Sequence, residues 1–245
     1  MRIVSVQVGR PALHPVPAGE DDGDGDVQQF FRSAIAKGGI AGPLALTRLG
    51  LKGDQVEDTR VHGGPDQAVL AYAAAHYPLW RAEWGRVDVV NGGFGENLTV
   101  EDADEETVCL GDRWAIGAAL LEVTKPRSPC NRLEWYQRRE GLIQRVRATG
   151  RSGWYLRVLV EGSVEAGADI ELVERRCPEL TVRRAARAMM NRSEDRDEAT
   201  VLVGCEALAG DWRLRLAKEG FTAAPARPLG GAPASQAPVV DRTRA

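Results

Sequence analysis

The sequence predicts a mixed α/β chain, rich in β, in which a barrel or sandwich of short strands precedes a small three-helix domain. Three observations carry that prediction. Short runs of β-branched and aromatic residues recur between Gly-rich turns from residue 33 to 175. After Cys177-Pro178 the apolar period changes from strand-like to helical. The 245 residues are 43% hydrophobic and 27% charged, which suffices for one large domain or a medium one with a small one.

Taken in order, RIVSVQV at 2–8 alternates apolar and polar and reads as a half-buried strand. PVPAGEDDGDGDVQ at 15–28 reads as a flexible, solvated acidic insertion. Its Asp spacing resembles a calcium loop. However, Val27 stands where the turn glycine belongs and Ser33 where the closing glutamate belongs. LALTRLG, QAVLAYA, NLTV, AIGAALLEVT, GWYLRVLV and ADIELVE are the expected strands. Two helices are expected among them, at 75–84 and 134–149. In the second, Leu142, Ile143 and Val146 share a face and Gly150 can cap the end.

Thr181 is the expected N-cap of the next helix, with Val182, Ala185, Ala186, Met189 and Met190 as its apolar stripe. Asp195 with Glu198 resembles a capping box, followed by Val201, Leu202, Cys205, Leu208 and Ala209. Asp211 starts a third helix that ends at Gly220. The Pro/Ala/Gly-rich residues 222–245 cannot bury a core and are expected to be disordered. The expected organisation is thus residues 1–176, 177–221 and 222–245.

A net charge of −3 argues against a broad nucleic-acid surface. No apolar run reaches the ~18–20 residues of a membrane span, and the N-terminus lacks signal-peptide features, so a cytoplasmic location is expected. Cys109, Cys130, Cys177 and Cys205 show no CxxC spacing and are read as free thiols, with Cys109 on a strand. His14, His62 and His76 form no HExxH cluster, and neither GxGxxG nor GxxxxGK[ST] occurs.

Cys130 is the most informative cysteine. It follows an apolar run in KPRSPCNRL, where Pro126 and Pro129 stop the strand and stiffen the turn. Arg127 and Arg132 flank it with positive charge, a setting that lowers the thiol pKa and suits a thiolate nucleophile or metal ligand, while a small buried core residue reads equally well from the local sequence. His62 precedes two glycines whose amides could cradle an anion, although an ordinary loop histidine reads as well. Lys52, Asp54 and Arg60 lie close by in sequence. Asn97 could read a heterocycle edge or close an Asx-turn, and Glu96 could carry a proton or simply be solvated. Trp80, Trp84 and Trp135 read as helix packing and Trp154 and Tyr155 as strand core. Arg157 is either a pocket residue or a surface charge.

SAIAK, LGLKGD, VHGGPDQA, HYPLW, GFGENLTV, PRSPC and GWYLRV occur here in the order found in MOSC-domain proteins of the YiiM type, which the chain resembles over most of residues 1–220. The resemblance implies a β-barrel-like MOSC fold (pyruvate-kinase barrel-like) and, over 178–220, the three-helix domain of that subfamily. It implies a molybdenum cofactor, independent of pyridoxal phosphate, with Cys130 as metal ligand and catalytic residue. The expected reaction is reduction of small N-hydroxylated compounds such as 6-hydroxylaminopurine. Expected cofactor-side residues are Lys52, Asp54, Arg60, His62, Gly63, Gly64, Asn97, Arg127, Ser128 and Arg157.

No Fe–S spacing or flavin fingerprint is present, so electrons are expected from a separate reductase, such as a flavoprotein. The three-helix segment would serve docking or homodimerisation; no nucleic acid or membrane partner is expected. A second reading makes the chain a cofactor or sulfur carrier with a persulfide or cofactor on Cys130. A third, a cysteine hydrolase with His62 as base, lacks an evident oxyanion or orienting group.

Overall fold

The computed structural model describes residues 1–17 and 29–223. The expected acidic loop from 18 onward and the expected tail beyond 223 lie outside the described residues. The first strands are β1 (Arg2–Val8), β2 (Ala12–Pro15), β3 (Phe30–Ser33), β4 (Gly38–Gly39), β5 (Leu44–Thr47) and β6 (Gly50–Leu51). Next come β7 (Val69–Ala73), α1 (His76–Trp84), β8 (Leu98–Glu101), β9 (Asp112–Ile116) and β10 (Ala119–Pro126). The chain continues through α2 (Asn131–Gln137), α3 (Leu142–Thr149), β11 (Trp154–Val160), β12 (Gly162–Val164) and β13 (Glu171–Arg175). It closes with α4 (Val182–Met190), α5 (Arg196–Gly204) and α6 (Gly210–Lys218).

The main sheet has eight strands in the order β13-β9-β10-β11-β7-β8-β1-β4. Its neighbours pair antiparallel except β7 and β8, which run parallel. The sheet curls into a half-barrel. Ile3 N donates to Ala168 O at 2.9 Å and Ile170 N to Met1 O at 2.9 Å, drawing β1 against the segment before β13. Register shifts between β10 and β11 supply irregularities of the kind that bend a sheet. Two smaller sheets, β12-β5-β6 and β2-β3, complete the β structure.

The predicted strands at QAVLAYA, NLTV, GWYLRVLV and ADIELVE form, as does the helix at 76–84. Two elements divide where one was expected. AIGAALLEVT is a hairpin, because Gly117 at φ 55° turns the chain between β9 and β10. The helix expected at 134–149 is α2 and α3, interrupted by Arg138 at φ 49° and Gly141 at φ 73°. Gly150 does cap α3, its N–H donating to Val146 O.

Thr181 caps α4 by accepting from Arg184 N, and Asp195 caps α5 by accepting from Glu198 N. Glu198 does not complete a capping box; its carboxylate holds Arg184 instead. In α4 the buried face is Val182, Ala185, Ala188 and Met189, while Met190 is exposed. Val201 likewise faces outward, and α5 ends before Cys205. Cys109 is not on a strand; it makes an isolated bridge to Thr181.

Cys177 and Cys205 form a disulfide, with Cα atoms 6.3 Å apart, which corrects the reading of these two as free thiols. They are 28 residues apart in sequence. Only the fold of α4 and α5 brings them into range.

One apolar body runs from the half-barrel into the helices, joining Leu110, Trp114, Val123 and Trp154 to Leu180, Ala185, Leu202 and Leu216. Backbone bonds stitch the same boundary: Leu110 N to Leu180 O at 2.9 Å and Val182 N to Val108 O at 2.8 Å. A second cluster underlies α1, α2 and α3. There Tyr72 stacks on Phe94 with centroids 4.5 Å apart, and Trp80 Nε1 donates to Tyr72 Oη at 2.6 Å.

Candidate active site

Ile35 and Phe94 of the second cluster line a cleft of about 440 Å³, a volume suited to a small organic ligand. Five loop segments converge on it: Ser33 to Lys37, Asp54 to Glu57, His62 to Ala68, Phe94 to Asn97, and Arg127 to Arg132. Tyr155 of β11 closes one side. Sites of this kind collect on loops because a rigid sheet holds the loop ends while leaving side chains free to meet a ligand.

Cys130 lies on the cleft wall at the N-cap position of α2, with an extended backbone. Its side chain makes no cap hydrogen bond, while its carbonyl accepts from Leu133 N at 2.9 Å. The backbone is therefore fixed and the thiol is left to the cleft. Pro126 ends β10, paired with Trp154. Arg127 follows, its N–H donating to Gly153 O at 3.0 Å. Gly153 has φ 74°, and a Cβ there would stand 2.6 Å from Ala71 O, so only glycine fits this close approach.

Arg127 is 7% exposed, and its Nη1 has no hydrogen-bond partner in the protein. A buried guanidinium nitrogen left unpaired is costly unless something anionic meets it. Gly63 and Gly64 have φ 74° and 79° and line the same cleft, and their N–H groups donate to no protein group among the described residues. The cleft thus presents a soft sulfur donor and several unsatisfied donors toward anions.

His62, Gly63, Gly64, Asp54, Asn97, Arg127, Ser128 and Cys130 are all brought to this cleft. Lys52, Arg60 and Arg157 are not among its walls. Lys52 is exposed. Arg60 is spent on Asp58, with Nε to Oδ1 at 2.9 Å. Arg157 turns to the helices, donating to Ala207 O at 2.7 Å and pairing with Asp66 at 3.3 Å.

Asn97 is present but already satisfied. Its Oδ1 accepts from Leu70 N at 3.0 Å and its Nδ2 donates to Asp54 Oδ2 at 2.8 Å. Glu96 is fully buried, accepting from Gly92 N, Phe94 N and Thr99 Oγ1. It organises the GFGEN turn and is not a solvated carboxylate.

Lys37, for which the sequence offered no role beyond its place in SAIAK, lines the cleft and holds Asp54 at 2.5 and 2.7 Å. Gly9 N donates to the same carboxylate at 2.7 Å. Burial pushes the Lys37 ammonium below its usual range, against the pull of Asp54. Burial also lowers His62, helped by the charges of Arg132 and Arg127, so its neutral imidazole is favoured. Burial raises the Tyr155 phenol, which keeps its proton.

No group of three or more His, Cys, Asp or Glu side chains able to hold a metal ion occurs among the described residues. No helix among them is long and apolar enough to cross a membrane.

Residues 58–171 match the MOSC domain. Protein YiiM of Escherichia coli is 37% identical over 188 residues, covering 76% of this chain and 84% of that protein. A protein of Gibberella moniliformis named "Reductase" is 36% identical over 197 residues, 79% of this chain and 34% of that longer protein. The crystal structure of YiiM from Geobacillus stearothermophilus superposes with a TM-score of 0.71 at 31% identity, covering 89% of this chain and 97% of that one. With the curled sheet, the cysteine turn and these relatives together, the chain belongs to the MOSC-domain family, in its YiiM-type branch.

Proposed function

We propose that the protein is a molybdenum-cofactor-dependent reductase of small N-hydroxylated compounds, with Cys130 as the protein's ligand to the metal. The observation that carries this reading is the pairing of the uncapped Cys130 thiol with the buried, unpartnered Arg127 Nη1 on one cleft. Lacking a cluster of three protein ligands among its described residues, the cleft suits a metal that arrives with ligands of its own and needs one soft thiolate. MOSC membership and the relative named as a reductase support the redox class.

The residues present fit such a group. Cys130 would hold the metal, while Arg127 and the amides of Gly63 and Gly64 would meet the anionic portion of the cofactor. When bound, the cofactor supplies the two electrons that cleave the N–O bond. The net change is R–NHOH + 2 e⁻ + 2 H⁺ → R–NH₂ + H₂O. Phe94, Ile35 and Val56 give the cleft its apolar surface for a purine-like ring. The Lys37–Asp54–Asn97 network fixes the loop carrying Asp54 to the turn carrying Asn97, which keeps the cleft preformed. The electrons come from a separate reductase.

The test is molybdenum content after expression with full cofactor supply, wild type beside Cys130→Ser, followed by reduction of 6-hydroxylaminopurine with an artificial donor. About one molybdenum per chain is expected in the wild type, lost in the variant together with turnover. Metal bound without turnover of any N-hydroxylated compound would favour the carrier reading. Absence of metal from folded wild type would refute the proposal.

A further inference from the structure

A second cleft, of about 730 Å³, shares the Arg127-Ser128 segment with the first and extends between α3, α4 and α6. Six arginines line it: Arg127, Arg147, Arg183, Arg187, Arg192 and Arg215. No Asp or Glu stands among the lining residues. Two carboxylates outside the cleft serve three of the six: Glu106 pairs with Arg183 at 2.9 Å, and Glu219 with Arg192 at 2.6 Å and Arg215 at 3.4 Å. Arg147 and Arg187 are exposed and have no ion-pair or hydrogen-bond partner for their side chains among the described residues. The whole chain is net acidic at −3, so this concentration of cations is local and not a consequence of composition.

The floor is apolar. Val146, Met189 and Trp212 line the cleft and are buried, and Met190, also a lining residue, is half exposed. Glu106 and Glu219 neutralise part of this charge and Glu198 acts on Arg187 from outside the cleft, which leaves a surplus of guanidinium groups; phosphate oxygens accept from such planar forks two at a time. A flat apolar ring fits over methionine and tryptophan side chains. The cleft volume lies in the range of small-ligand sites.

We propose that this second cleft binds a phosphorylated nucleotide, its phosphates on Arg147 and Arg187 and its base over Met190 and the Met189–Trp212 floor. The site adjoins the Cys130 cleft at Arg127 and Ser128, but Arg147 and Arg187 lie outside that cleft, so the proposal does not depend on the molybdenum reading. It rests on the arginine surplus of a cleft whose walls hold no Asp or Glu among the described residues, created where the helices pack against α3.

Isothermal titration of the full chain with ADP tests it, with inorganic pyrophosphate and adenosine titrated in parallel. One ADP per chain is expected, bound more tightly than either fragment and more weakly as salt rises. The double variant Arg147→Glu/Arg187→Glu, whose two positions are exposed, should bind ADP at least about tenfold more weakly with an unchanged melting temperature. Arg132→Glu, on the Cys130 cleft alone, should leave ADP binding as it is. The proposal would be overturned by no ADP binding at millimolar concentration, by equal binding in the double variant, or by loss of binding in Arg132→Glu instead. Pyrophosphate or adenosine binding as tightly as ADP would refute the nucleotide class.

Discussion

Replacing Asp54 by Leu is the sharpest probe of how the Cys130 cleft is held. The Lys37 and Asp54 side chains are only 8% and 12% exposed, and Nζ meets the carboxylate at 2.5 Å. Removing the carboxylate strands a buried ammonium and also takes the acceptor from Gly9 N and Asn97 Nδ2. Breaking a buried pair from one side costs about 3–5 kcal/mol, because the remaining charge is desolvated without compensation. Lys37→Met is milder, about 1–3 kcal/mol, since Asp54 keeps two donors. The double variant should cost less than the sum, with a coupling of roughly 2 kcal/mol. Urea unfolding read by tryptophan fluorescence gives all three values, and a loss of that size lowers the melting temperature by about 2–4 °C per kcal/mol. Asp54→Leu within about 1 kcal/mol of wild type, or strictly additive single variants, would refute the reasoning.

Three further outcomes are expected. Reducing the Cys177–Cys205 disulfide, which spans 28 residues, should cost about 3–4 kcal/mol by loop-closure entropy, seen as a lower melting temperature in a phosphine reductant and matched by Cys177→Ser. Gly153→Ala should lose about 1–3 kcal/mol in urea unfolding, since φ 74° and the 2.6 Å approach to Ala71 O leave no room for a Cβ. His62 is held below its ordinary 6.5, so the folded state binds fewer protons than the unfolded state just under that pH. Stability should therefore fall as pH drops below 6.5 toward the folded value, and His62→Gln should remove that part of the slope. An identical slope in the variant would reject the assignment.

Local chemistry was legible in the sequence where it acts locally. Thr181 and Asp195 cap helices because a short oxygen side chain serves the orphan amides of its own first turn. Gly150 closes α3 for the same kind of reason. The Ala/Leu run at 115–124 concealed a turn, since its residues are apolar on both sides of Gly117 and hydropathy alone cannot mark a hairpin inside it. The site followed the same division. Cys130, Arg127 and the glycines after His62 meet in space, and each stood out by its own loop chemistry. Lys52, Arg60 and Arg157 carried charge close to those motifs, but charge does not specify direction. Arg60 finds Asp58 two residues away, and Arg157 finds partners from a distant helix connection. Lys37 was passed over because its partner, Asp54, lies 17 residues on. The disulfide was missed because pairing depends on how two helices fold back.

The apolar body shared by half-barrel and helices also bears on how such a chain can be shortened or rearranged. Val108 and Leu110 are buried and bonded through their backbones to Val182 and Leu180. A cut between these partners would leave two complementary greasy faces in water, so truncation at the linker should yield aggregation and not a smaller working module. In this chain the helical segment is therefore the cover of the sheet end at Val108 and Leu110, and the two fold as one body.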